Sequence, residues 1–110
     1  LRRRLDLIYA GRSIDHFADR AFADVAERRA IPRALPDALL DGFEWDVERR
    51  RYATLGDLED YAARVAGAVG AIMACLMGAR SRAALARATD LGAAMQLTNI
   101  ARDIGEDARA

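Results

Sequence analysis

From Ser81 to the final residue the chain carries no proline, and its apolar side chains recur at helical spacing. Projected at 3.6 residues per turn, Ala93, Ala94, Leu97, Ile100, Ala101 and Ile104 fall on one apolar stripe. Ser81 is placed to cap this helix, which is expected to continue to the chain end. A single helix of that length must lie against other long elements to bury its stripe. Strand signals are nearly absent elsewhere, while Ala, Leu and Arg dominate, so the chain is expected to be all-α.

The remaining helices follow from punctuation and periodicity. Leu1, Leu5 and Ile8 mark one face of a first helix, with Gly11 as its stop. A second is predicted over residues 15–29, burying Phe17, Ala21 and Val25, and Pro32 ends that segment. Pro36 suits the first turn of a third helix carrying Leu39, Leu40 and Phe43, continued through 44–52. Thr54 with Asp57 three residues on resembles a capping box and opens a long helix. Its predicted apolar face is Tyr61, Val65, Val69, Ile72 and Leu76. Gly67 and Gly70 each cost that helix about 1 kcal/mol relative to Ala, tolerable where a neighbouring helix or a ligand must come close.

Several function classes are excluded or disfavoured. With 17 acidic and 17 basic residues among 110, the chain lacks the field that a nucleic-acid partner would require. The longest uncharged run, residues 65–79, is too short to cross a bilayer. No secretory leader pattern stands at the N-terminus. The one cysteine, Cys75, lies in an apolar run and reads as a buried structural thiol, which fits a reducing cytoplasm. His16 reads as a surface or capping residue. Arg49, Arg50 and Arg51 read either as a solvated charge run or as a phosphate clamp. Because the chain opens without Met and stops inside a charged helical segment, it is expected to be part of a longer protein.

A second stripe borders the apolar one on the last helix. Gln96, Asn99, Asp103 and Asp107 recur at spacings of three and four, stacked one turn above the next. Like charges at that spacing destabilise a helix, so a row of carboxylates and amides invites a cation. Hard oxygen donors on a rigid element suit Mg²⁺, with Mn²⁺ as an alternative, and such a site handles diphosphate. The competing reading is a solvated helix face.

Two segments resemble a known family. Residues 61–70, Tyr-Ala-Ala-Arg-Val-Ala-Gly-Ala-Val-Gly, are similar to the YCxxVAGTVG signature of phytoene and squalene synthases. Residues 96–107, Gln-Leu-Thr-Asn-Ile-Ala-Arg-Asp-Ile-Gly-Glu-Asp, resemble that family's second aspartate-rich motif. The upstream 46–52 segment also resembles bacterial phytoene synthases in order and spacing. Ala62 stands where the family usually has Cys, and Ala68 where it usually has Thr. The first aspartate-rich motif has no match ahead of Asp15, and the Gly-Arg-x-Tyr-Leu-Pro stretch that follows the second motif is absent. Residues 1–110 are therefore expected to be the central part of one synthase domain, inactive alone.

The resemblance implies an isoprenoid-synthase-type helical bundle. It implies Mg²⁺-dependent head-to-head condensation of two geranylgeranyl diphosphates to phytoene through a cyclopropyl diphosphate. Asp103 and Asp107 would be metal ligands, with Asn99 and Gln96 supporting the metal–diphosphate cluster. Arg102 would contact diphosphate, or else pair with Glu106. Tyr61 would face the reaction channel, and Val65, Gly67, Val69, Gly70 and Met73 would line it. The alternatives are a squalene or hydroxysqualene synthase acting on farnesyl diphosphate, and a non-catalytic helical interaction domain. A cytoplasmic location is expected, with peripheral contact at the inner face of the membrane because substrate and product are greasy.

Overall fold

The computed structural model describes residues 1–12 and 16–109, with side chains described through 105. The expected helix start at Asp15 and the side chains of Glu106 and Asp107 lie outside the described residues. Helices account for all regular structure among the described residues. In order these are α1 (Arg2–Tyr9), α2 (Phe17–Arg28), α3 (Ala34–Val47), α4 (Leu55–Ala62), a π-helical segment (Ala63–Gly67), α5 (Ala68–Leu76) and α6 (Arg82–Arg109). The fold is all-α, and no described helix is long and apolar enough to cross a membrane.

Local chemistry sets the helix ends. The Thr54 hydroxyl accepts from the Asp57 N–H at 3.1 Å, and the Ser81 hydroxyl from the Ala84 N–H at 3.0 Å. Each satisfies one of the orphan donors of a helix N-terminus. Four helices end the same way, on a residue of positive φ: Gly11, Ala30, Arg49 and Gly78. In each case the next N–H reaches back five residues, as in Arg12 to the Leu7 carbonyl at 2.9 Å and Arg50 to the Trp45 carbonyl at 3.1 Å. The Arg49 ending stops α3 at Val47, five residues short of the expected limit at 52. His16 is the N-cap residue of α2, yet its side chain makes no capping hydrogen bond.

A first core gathers Ala26, Ile31 and Cys75, with Tyr9, Phe22, Val25, Leu35, Ile72, Leu76 and Leu85 packed around them. Tyr9 meets Phe22 edge-on at 6.5 Å, and its hydroxyl donates to the Ile31 carbonyl at 3.0 Å. This corrects the expected face of α2. Phe17 is 80% exposed, and the inward residues are Phe22, Val25 and Ala26. The helix period was right but its phase was set by α1, which offers Tyr9 and the Arg4–Asp19 pair at 2.5 Å. Arg2 bridges Asp37, Asp41 and Glu44, and Arg33 bridges Asp6 and Asp37, tying α1 to α3.

The second seam is built from backbone contact. Residues 55–76 form one continuous helical run that crosses α6 where both present glycine. A Cβ on Gly70 would stand 2.5 Å from the Ala88 carbonyl oxygen, and one on Gly92 only 2.4 Å from that of Ala66. On the other side, Gly42 of α3 makes room for Val65.

The π-helical segment inside this run was not predicted, and it changes which residues face inward. Residues 68, 71 and 75 are buried on one stripe. Extended back at the α-helical period, that stripe would bury Arg64 and Tyr61. A π turn holds one residue more than an α turn. The π turn breaks that register: Ala62 is fully buried, at 0% exposure, while Tyr61 and Arg64 are half-buried.

Candidate active site

Helix α6 carries the acid–amide stripe. Gln96 and Asn99 are half-buried, and among the described residues neither makes a side-chain hydrogen bond. Asp103, one turn on, is exposed, with 60% of its side chain accessible. Arg102 Nε lies 3.7 Å from Asp103 Oδ1, which holds a positive charge beside that carboxylate. The expected apolar stripe continues beside these residues through Ala93, Leu97 and Ile100, but Ala94, Ala101 and Ile104 are exposed. Among the described residues no three His, Cys, Asp or Glu side chains converge to hold a metal ion.

A different cluster surrounds Tyr61. Its hydroxyl donates to Asp46 Oδ1 at 2.8 Å, and its ring lies 5.0 Å from that of Tyr52 at an interplanar angle of 34°. Tyr52 in turn meets Trp45 at 6.4 Å. The guanidiniums of Arg50 and Arg64 lie 4.2 and 4.5 Å from the centroid of Trp45, within cation–π range. The Tyr61 phenol is pushed up to about 12, first by burial and then by its hydrogen bond to Asp46, so it is neutral at physiological pH. Beside this cluster opens a cleft of about 220 Å³ lined by Trp45, Arg50, Arg51, Tyr52, Asp57 and Asp60. The sequence places Tyr61 on an apolar helix face and shows no partner for its hydroxyl. The available signal was Asp46 and Tyr52 flanking the turn after α3, with Asp46 15 residues upstream of Tyr61.

The helix that carries Tyr61 also carries the predicted channel residues. Val69 and Met73 are 40% and 51% exposed, whereas the expected face had Val69 as core. Small residues make the closest contacts on this helix, Val69 and Met73 stand on its open side, and Ile72 and Leu76 pack into the first core. Val65 is half-buried against Gly42. For Gly67 and Gly70 the approaching neighbour is α6, through Thr89 and Ala88 respectively. No described hydrogen bond or ion pair joins Tyr61 to the α6 stripe. Another cavity, about 800 Å³, lies between α1 and α2 and includes none of the predicted site residues.

Comparison with known proteins bears on all of these residues at once. The sequence profile described as squalene/phytoene synthase matches residues 1–110. A phytoene synthase of Rhodobacter capsulatus is 62% identical over 107 residues, covering 97% of this chain and 32% of that protein. A phytoene synthase of Cereibacter sphaeroides is 59% identical over 110 residues, covering 100% of the chain and 31% of the relative. A 15-cis-phytoene synthase of Pantoea ananas is 48% identical over 102 residues, covering 93% and 33%. The chain thus spans about a third of the length of the curated relatives it matches. No solved structure matches it.

Proposed function

The chain belongs to the squalene/phytoene synthase family, and we propose that it supplies the central helices of a phytoene synthase. That enzyme condenses two geranylgeranyl diphosphates head to head through a cyclopropyl diphosphate. The observation that carries this reading is the pair of half-buried amides, Gln96 and Asn99, whose polar groups have no described side-chain partner and stand in line with Asp103. A solvated surface stripe has no need of half-buried amides.

The donor set is carboxylate and amide oxygen, which is the hard chemistry that Mg²⁺ or Mn²⁺ selects. Asp103, Asp107 and Asn99 would hold the ion, which when bound neutralises the charge of a departing diphosphate. Gln96 orients the same group, and Arg102 offers a planar cation to its oxygens. Val65, Val69 and Met73 form an apolar wall that accepts prenyl chains and keeps water from a carbocation. Gly67 and Gly70 support that wall by letting the helix sit directly on α6. Tyr61, neutral and half-buried, presents an electron-rich ring without a nucleophilic phenolate.

The test is product analysis of the full-length synthase with Mg²⁺, supplied separately with geranylgeranyl and farnesyl diphosphate, each with and without NADPH. Phytoene from the longer substrate without NADPH is expected, and Asp103→Ala should abolish it. Squalene from farnesyl diphosphate, or undiminished turnover in Asp103→Ala, would overturn the reading.

A further inference from the structure

We propose that Asp46, which none of the site motifs includes, is the positioning residue for Tyr61, fixing the phenol through its hydroxyl while Tyr52 backs the ring. The proposal rests on the reading of Tyr61 as a channel residue. The phenol O–H donates and the carboxyl oxygen accepts, so the 2.8 Å contact aims the phenol proton at Asp46 Oδ1 and sets the hydroxyl rotor. The ring is then flanked by Tyr52 at 5.0 Å, itself leaning on Trp45, whose ring carries the two guanidiniums. Two segments thus converge on Tyr61 in the last turn of α4: the end of α3 and the turn after it. With the α-helical register broken after it, Tyr61 is half-buried beside the fully buried Ala62 and within hydrogen-bond reach of Asp46.

The arrangement has a chemical consequence. A phenol donating to a carboxylate carries more electron density in its ring and oxygen than one donating to water. Such a ring attracts cationic charge more strongly. At the same time partial burial, and after it the hydrogen bond to Asp46, keep the proton on the oxygen. A phenolate would capture an allylic cation by forming a C–O bond, and this device prevents that while retaining the ring's attraction.

In the full-length synthase, Asp46→Ala is expected to lower kcat about tenfold with KM little changed, the size expected for losing one hydrogen bond to a charged group. Asp46→Asn should recover most of the rate, since an amide oxygen still accepts. Asp46→Ala combined with Tyr61→Phe should be no slower than the slower single variant. Full activity in Asp46→Ala, or losses that multiply in the double variant, would overturn the proposal. A second measurement needs no substrate. Spectrophotometric titration, with Tyr61→Phe subtracted, should show the Tyr61 phenol ionising at lower pH in Asp46→Ala than in the parent. Identical titrations would show that the carboxylate does not hold the phenol, and would overturn the proposal whatever the enzyme makes. Failure of the prenyl-transfer reading would appear instead in the wild-type reaction.

Discussion

Gly92→Ala is the sharpest test of how this molecule is held together. In an exposed helix interior the substitution would help, because alanine is about 1 kcal/mol better than glycine there. Gly92, however, sits where α6 crosses the helical run through Ala66 and Gly67. The new Cβ would lie 2.4 Å from the Ala66 carbonyl oxygen, 2.9 Å from its carbon and 3.2 Å from Gly67 Cα. Ordinary contact begins near 3.4 Å, so the shortfall against the oxygen is 3.4 − 2.4 = 1.0 Å. All three obstacles are backbone, which no rotamer change can move, so the helices themselves must separate. Overpacking costs about 1–3 kcal/mol, and a rigid obstacle belongs toward the upper end. After the propensity gain, a net loss of about 1–2 kcal/mol remains. Thermal unfolding followed by circular dichroism should register about 4–8 °C per kcal/mol for a domain near this size. Gly105→Ala is the internal control: it lies on the same helix with nothing within 4 Å of its Cβ, and it should stabilise. If Gly92→Ala melts at or above the parent, the close crossing is wrong.

Other substitutions probe the helix ends and the Tyr61 cluster. Thr54→Ala removes the acceptor for the Asp57 N–H and should cost about 1 kcal/mol in denaturant unfolding, with Thr54→Ser nearly neutral. Ala30→Gly places glycine at φ 50° and should stabilise by about 0.5–1 kcal/mol, the reverse of its effect inside a helix. An unchanged or lower midpoint would remove that strained ending. The Tyr61 phenol ionises at about 12 in the folded chain against an ordinary 10.0, so folding favours its neutral form. That contribution is complete below pH 10, and stability should fall as pH rises from about 10 to 12. The loss should be smaller in Tyr61→Phe; an equal loss in both would show that Tyr61 does not contribute.

The legible part of this protein was local. Thr54 and Ser81 announced helix starts because a side-chain oxygen satisfies an orphan N–H regardless of what packs nearby. Gly11 announced a stop for a similarly local reason, whereas Ala30 and Arg49 adopt the same geometry without a glycine to mark it. The candidate site was half legible. Gln96, Asn99, Asp103 and Asp107 show their alignment in spacing alone, since a helix stacks such positions whatever surrounds it. Asp46 and Tyr52 did not, because their meeting with Tyr61 depends on α3 folding back on α4.

By itself, then, the sequence determined helix content, most boundaries, the acid–amide stripe and the family. Tertiary structure alone decided phase: which side of each helix turns inward. Phe17 and Phe22 both suit an apolar face of α2, and only contact with Tyr9 selects Phe22. Along 55–76 the choice fell to small residues, because glycine and alanine let backbones approach where Val69 and Met73 cannot. The π turn then broke the α-helical register, leaving Ala62 fully buried and Tyr61 half-buried. Periodicity records that a helix has faces, but the partner surface chooses among them, and that surface exists only once the chain has folded.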